Sequence, residues 1–243
     1  MNSNSSISQT ISSVLGQHQR GLEYIIVDGS STDGTQETVK SFGNAVDVFI
    51  SEPDRGIADA FNKGILHSSG VLVGLINADD CLLPGAIEKV ITYFATHPDV
   101  DVLHGDVLLY DGAQLIKRIQ PAGRWWYPWR LVIFNHPATF VRRSVYEKCG
   151  FFDTGYKIAM DVEIFLRWMR KGICIAYVPD VFVAMQAGGV SGRSAFGGYR
   201  EVKRAFSTYG FPSLVVTIQF ICKFGVQFIV TVQSNLRTLK RNI

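Results

Sequence analysis

Ten consecutive residues, Val71-Leu72-Val73-Gly74-Leu75-Ile76-Asn77-Ala78-Asp79-Asp80, constrain this chain more than any others. The apolar run predicts a strand buried on both faces. It stops at two adjacent carboxylates. In α/β proteins the carboxyl ends of buried parallel strands open onto the crevice where ligands bind. Two neighbouring acids repel each other there unless positive charge lies beside them. A hard divalent cation that bridges to a phosphate meets that need.

The flanking sequence alternates strand and helix signals. Ile7, Ile11, Val14 and Leu15 fall at helical spacing, and Leu22 to Val27 reads as a strand ending at Asp28. The segment 28–35 is dense in turn formers and N-cap residues, and a helix is predicted from Thr35 to Phe42. A strand over Val46 to Ile50, a loop at 51–56 and a helix from Ile57 to His67 follow. Beyond the acidic pair, Pro84 is expected in the first turn of a helix carrying Ile87, Val90, Ile91 and Phe94. Val100 to Tyr110 and Leu115 to Ile119 read as two strands joined at Asp111-Gly112, and Pro137 to Arg142 as a short one. Asp161 opens a helix with Ile164, Phe165, Trp168 and Met169 on one face. The alternation up to about residue 105 predicts an α/β fold with a mostly parallel sheet flanked by helices.

Hydrophobic content of 47% in 243 residues supports one good core, and a net charge of +3 does not point to nucleic acid. Cys81, Cys149, Cys174 and Cys222 form no C-x-x-C pair, which disfavours structural zinc and a disulfide scaffold and fits a reducing cytoplasm. The Ser-rich start carries no secretory signal pattern. Residues 1–210 are read as one domain and 211–243 as a hydrophobic and basic helical appendage. Within the latter, Leu214 to Val232 is almost wholly apolar, but Gln219, Lys223 and Gln227 make a narrow polar stripe, and Arg237, Lys240 and Arg241 follow. An interfacial helix against an anionic cytoplasmic leaflet fits this better than a spanning one. A helix completing the core or a dimer contact is the alternative.

Asp28, Asp79-Asp80 and Asp161 stand at strand ends or a helix start. Each has a structural reading, as a turn cap, a solvated turn and an N-cap respectively. Their order and setting raise the functional one. His136 is a metal ligand, an acceptor contact or a structural histidine. Trp125-Trp126-Tyr127-Pro128-Trp129 could stack on a sugar, meet lipid headgroups or simply pack. The glycine loop 188–192, near Ser191, could close over a ligand or form a surface turn.

Four segments together resemble family 2 glycosyltransferases. Residues 23–35, EYIIVDGSSTDGT, are similar to the family's first nucleotide-binding segment, and residues 51–65, SEPDRGIADAFNKGI, to its second. Asn77-Ala78-Asp79-Asp80 resembles its metal-binding motif, and Ala159-Met160-Asp161-Val162-Glu163 the segment with its catalytic base. The match runs from about residue 5 to 195 in the family's order. It implies a GT-A-type fold, a nucleotide-sugar donor, a divalent metal (Mn2+ or Mg2+) and a hydroxyl acceptor, a saccharide or lipid-linked precursor of cell-surface polysaccharide. It implies that Asp80 ligates the metal directly, while Asp79 meets the ribose or supports the metal through water. Asp28 and Ser30 would lie by the nucleoside, with Asp54, Arg55, Asn62 and Lys63 near base or phosphates; for Lys63 a solvated helix lysine is the alternative. Asp161 is expected to take the acceptor's proton in a single displacement with inversion. Glu163, two residues on, should point away from it as a support or solvated residue. The expected location is the cytoplasmic face of the cell membrane.

The family normally opens with a buried strand leading into the first helix, and Met1 falls about where that strand should end. The chain is therefore expected to lack it. Asp28-Gly29 also departs from the two consecutive acids of many relatives. A catalytically silent scaffold on the same fold is the rival reading. A nucleotidyltransferase would want a Gly-rich, basic phosphate loop, and a dehydrogenase G-x-G-x-x-G; neither is visible.

Overall fold

In the computed structural model, residues 2–121, 134–188 and 195–211 are described, with positions 214, 217, 218 and 221 beyond them. The tryptophan cluster, most of the glycine loop and most of the C-terminal segment lie outside the described residues. Among the described residues no helix is long and apolar enough to cross a membrane.

The elements run α1 (Ile7–Leu15), β1 (Ile25–Asp28), α2 (Thr35–Ser41), β2 (Val48–Ser51), α3 (Ile57–His67), β3 (Leu72–Gly74), β4 (Cys81–Leu82), α4 (Ala86–Thr96), β5 (Val102–Asp111), β6 (Gln114–Ile119), β7 (Thr139–Arg142), α5 (Arg143–Cys149), α6 (Met160–Arg170), β8 (Ile175–Gln186) and α7 (Ala195–Thr208). The fold is α/β, as expected. Pro84 lies just ahead of α4 rather than inside it, because Gly85, in the left-handed region at φ 74°, makes the turn into the helix.

The strands form two sheets. β1 and β2 pair in parallel, Ile25 opposite Val48 through Asp28 opposite Ser51. The larger sheet has the order β3-β7-β5-β8-β4, with β6 hairpinned onto β5. It is mixed. β5 and β8 run parallel, whereas β3–β7, β5–β7, β4–β8 and β5–β6 are antiparallel. The predominantly parallel sheet read from the alternation is corrected here, because the strands after residue 110 insert between earlier ones rather than extending the series. Among the described residues no strand pairs with the second edge of β1 or of β3.

β3 is the second correction. It is three residues long and an edge strand, and Val71 before it is 73% exposed. Only Val73 of the strand is buried, because a partner lies on one side alone. The carboxylate of Glu23, just ahead of β1, accepts the N–H of Ser69 at 2.7 Å and of Gly70 at 3.3 Å, just ahead of β3. The two strands therefore start at the same end of the molecule.

Two cores cover the faces of the sheets. Successive residues alternate between them, as pleated strands require. Val102 and Val141 join Ile65 of α3, Tyr146 of α5, Phe165 and Trp168 of α6, and Phe206 of α7. Leu103 and Phe140 join Ile7, Ile11 and Val14 of α1, Val39 of α2, and Val90 and Phe94 of α4.

Candidate functional site

The carboxyl ends of β1 and β2 meet at Asp28. Its carboxylate accepts the Ser31 N–H and the Ser51 hydroxyl, both at 2.8 Å, and a short bond from the Ser31 hydroxyl. Burial pushes its pKa up, but these bonds outweigh burial and hold it below the usual carboxylate range. Asp28 is buried and occupied. These bonds shape the turn where Ser30 sits in the left-handed region at φ 61°.

The second segment folds over that turn. A Cβ on Gly29 would lie 2.2 Å from Asp54 Oδ2, so the absent side chain is what lets Asp54 approach. Asp54 Oδ1 accepts the Gly56 N–H at 2.9 Å and shapes the entry to α3. Arg55 projects with 77% of its side chain exposed and a 3.3 Å contact to Asp59. Lys63 and Asn62 are occupied. Lys63 Nζ is 2.8 Å from Glu52 and donates to the Pro53 carbonyl at 2.9 Å. Its hydrogen bond to Glu52 raises its pKa. Asn62 bonds the backbone of Phe152. Both brace the loop through these contacts.

At the end of β3 the two acids differ sharply. Asp80 is 1% exposed, whereas Asp79 is exposed. Asp80 accepts Asn77 Nδ2 at 2.8 Å and the backbone N–H of Gln186 at the end of β8. Burial drives its pKa up to about 7, the Asn77 bond opposing and the Asp79 charge adding to the rise. Asp79 is open to solvent, and Asp80 stands behind it. The pair fits a hard divalent ion, because a cation would offset both the repulsion between two adjacent carboxylates and the cost of burying a charged Asp80. Among the described residues no group of three or more His, Cys, Asp or Glu could complete a coordination shell. Diphosphate oxygens and water would supply the remaining positions.

Asp161 occupies the first turn of α6, after Ala159 at the N-cap, so it is not itself the cap. Its Oδ1 accepts the Val162 N–H at 2.8 Å. Burial raises its pKa to about 6, with backbone hydrogen bonds opposing and the nearby charge of Glu201 adding to the rise. Among the described residues it has no ion-pair partner. Glu163 is 2% exposed, not solvated. It pairs with Arg167 at 2.6 Å and takes a short bond from the Tyr209 hydroxyl, while Arg167 also donates to the Cys149 and Phe151 carbonyls. It anchors α6.

His136 packs beside Phe61, with ring centroids 4.8 Å apart, and edge-on to Phe152 at 6.2 Å. Its Nε2 is buried without a hydrogen bond, and burial lowers its pKa to about 4. That environment favours the structural reading. Among the described residues no hydrogen bond or ion pair links the Asp79-Asp80 pair to Asp161. Lys157, just ahead of α6, donates its Nζ to the Arg55 carbonyl at 2.6 Å and so joins the loop at 54–56 to the approach to α6. Lys157 and Glu201 were not singled out from sequence, and no local pattern marks them.

An uncharacterized glycosyltransferase of Mycobacterium tuberculosis is 29% identical over 166 residues, 66% of this chain, and the chain spans 63% of that relative's length. The amylovoran biosynthesis glycosyltransferase AmsE of Erwinia amylovora is 25% identical over 70% of this chain and 68% of its own. Among solved structures, S. aureus TarS 1–349 in complex with UDP superposes with a TM-score of 0.68 at 18% identity, over 86% of this chain and 62% of that one. The mannosyltransferase PcManGT of Pyrobaculum calidifontis, solved with GDP-Man and Mn2+, gives 0.64 at 20% identity over 84% and 60%. These likenesses establish a shared fold. The family model described as glycosyl transferase family 2 matches residues 1–164, and the chain belongs to that family.

Proposed function

We propose that this protein transfers a glycosyl group from a nucleotide-diphosphate sugar to a hydroxyl acceptor with inversion at the anomeric carbon. The observation that carries this reading is Asp161, a carboxylate at a helix start with a pKa of about 6 and no cationic partner among the described residues. Such a group is ionised at neutral pH yet basic enough to accept a proton. In the reaction the acceptor O–H gives its proton to Asp161 as its oxygen bonds the anomeric carbon. The bond from that carbon to the diphosphate oxygen breaks, and the nucleoside diphosphate leaves. When bound, a divalent ion at Asp79 would neutralise charge on the diphosphate. Arg55, exposed beside the turn at Asp28–Ser30, is positioned to meet phosphate or base.

The relatives' names support a saccharide or lipid-linked acceptor of envelope polysaccharide synthesis, since one acts in amylovoran biosynthesis and others in PGL/p-HBAD biosynthesis. On this reading the protein works at the cytoplasmic face of the membrane, with the apolar and basic segment 214–241 as a peripheral contact.

The test is a screen of UDP-GlcNAc, UDP-glucose, GDP-mannose and dTDP-glucose, each with Mn2+ or Mg2+, for thermal stabilisation and then for release of nucleoside diphosphate. Stabilisation by a donor, with turnover lost in Asp161→Asn, is the expected result. Near-normal turnover in that variant would remove Asp161 as the base. No response to any donor would favour a catalytically silent scaffold.

A further inference from the structure

α7 lies against α6, and two of its side chains grip the stretch that leads into Asp161. Glu201 accepts the N–H groups of Lys157, Ile158 and Ala159 at 3.0, 2.8 and 2.9 Å. Arg204, on the same helix face, holds its guanidinium 3.7 Å over the Tyr156 ring and donates to the Gly155 carbonyl at 2.8 Å. The start of α6 has no side-chain cap of its own. Amides around a helix start need acceptors, and negative charge there suits the helix dipole. Here a carboxylate from another helix, 42 to 44 residues on from those amides, does both.

We infer that Glu201 is the positioning residue for Asp161: by holding the backbone of residues 157–159 it sets where the Asp161 carboxylate stands at the first turn of α6. The inference rests on the reading of Asp161 as the base. Its charge has a second effect, because Glu201 is a like charge beside Asp161. The other charged groups around the first turn are engaged elsewhere. The Lys157 ammonium is turned to the Arg55 carbonyl, Arg204 to Gly155 and Tyr156, and Glu163 to Arg167. Glu201 in turn has its own pKa lowered, burial being outweighed by the three amides it accepts and by Arg204.

The experiment uses the full chain and reads Asp161 directly. The 13C carboxyl resonance of Asp161, assigned with D161N, is titrated in wild type and in E201Q, and amide hydrogen exchange at 157–159 is followed in E201A. The expected midpoint is about 6 in wild type and lower in E201Q. Exchange at 157–159 should quicken at least about tenfold in E201A, the loss of charge-assisted bonds to those amides. An unchanged midpoint in E201Q, or unchanged exchange in E201A, overturns the proposal. Should E201A not fold, E201Q keeps the size of the side chain and one acceptor oxygen, and its titration decides. These readouts do not depend on turnover, so an active D161N variant would defeat the base reading without being mistaken for failure here.

Discussion

Asn62 and Phe152 are bonded in both directions: Asn62 Nδ2 donates to the Phe152 carbonyl and the Phe152 N–H donates to Asn62 Oδ1, each at 2.9 Å. One side chain thereby mimics a strand partner and ties α3 to the loop ahead of α6. Asn62→Ala leaves two half-buried backbone groups unpaired. The expected cost is about 2–4 kcal/mol, read from urea denaturation. Asn62→Asp keeps the acceptor and loses the donor, so it should fall between alanine and wild type. An alanine variant as stable as wild type would show that the pair contributes nothing.

The unequal burial of Asp79 and Asp80 separates their substitutions. Asp79→Asn should raise the Mn2+ concentration needed for UDP to stabilise the protein by about tenfold or more, the loss of one ionic ligand. Asp80→Asn removes a charge held in a buried position and keeps an acceptor for the Gln186 N–H. Its melting temperature without metal should equal or exceed that of wild type. If Asp80→Asn abolishes the Mn2+ effect while Asp79→Asn spares it, the original order of the two roles stands.

Asp161 sets activity against stability. Its folded pKa, about 6, lies above the ordinary 3.8, so the folded protein binds the proton more tightly than the unfolded chain. This contribution is fully present below about pH 4 and is lost as pH rises through 6. Asp161→Asn should therefore melt about 2–4 °C higher than wild type at pH 8, corresponding to about 1 kcal/mol, and match it near pH 4. A variant less stable than wild type at pH 8 would contradict the burial-raised pKa of Asp161.

Two buried histidines act in the opposite sense. Burial lowers His104 and His136 to about 4 each, and both rings sit among aromatic neighbours. Their contribution is fully present above pH 6.5 and lost as pH falls toward 4, because the unfolded chain takes up protons first. Over that window the histidines oppose Asp80 and Asp161, which gain stability as pH falls. His104→Phe and His136→Phe should each remove one histidine's loss, so that stability relative to wild type rises as pH falls from 6.5 to 4, measured by urea denaturation at a series of pH values. A difference from wild type that does not change with pH would show that the histidine does not titrate this way.

Some of this was legible in the chain and some was not, for physical reasons. Helix α3 begins and ends where its periodicity and flanking Gly56 and Ser68 place it, since those signals are local. The run at 71–76 misled because apolar residues at a sheet edge look like those of a central strand. The partner that fixes β3 at the edge, β7, comes more than sixty residues later. Strand β8 was missed altogether. Pro179 breaks its pattern, and the register with β5 shifts where that proline falls, between His104 and Asp106. At the candidate site, Asp161 and the acidic pair stand out in the sequence by their order. Which acid is buried depends on Asn77 and on Gln186, the latter arriving from β8. The anchoring of Glu163 was half visible, as an i,i+4 pair with Arg167. Its bond to Tyr209 was not.

Lys157 gives the cleft a mechanical property. Its side chain bonds the Arg55 carbonyl and its backbone N–H bonds Glu201, so one residue pins the loop over Gly29 to the run-up to Asp161. While that bond holds, a shift of the 54–56 loop is passed on to residues 157–161, so the two stretches are coupled through one side chain.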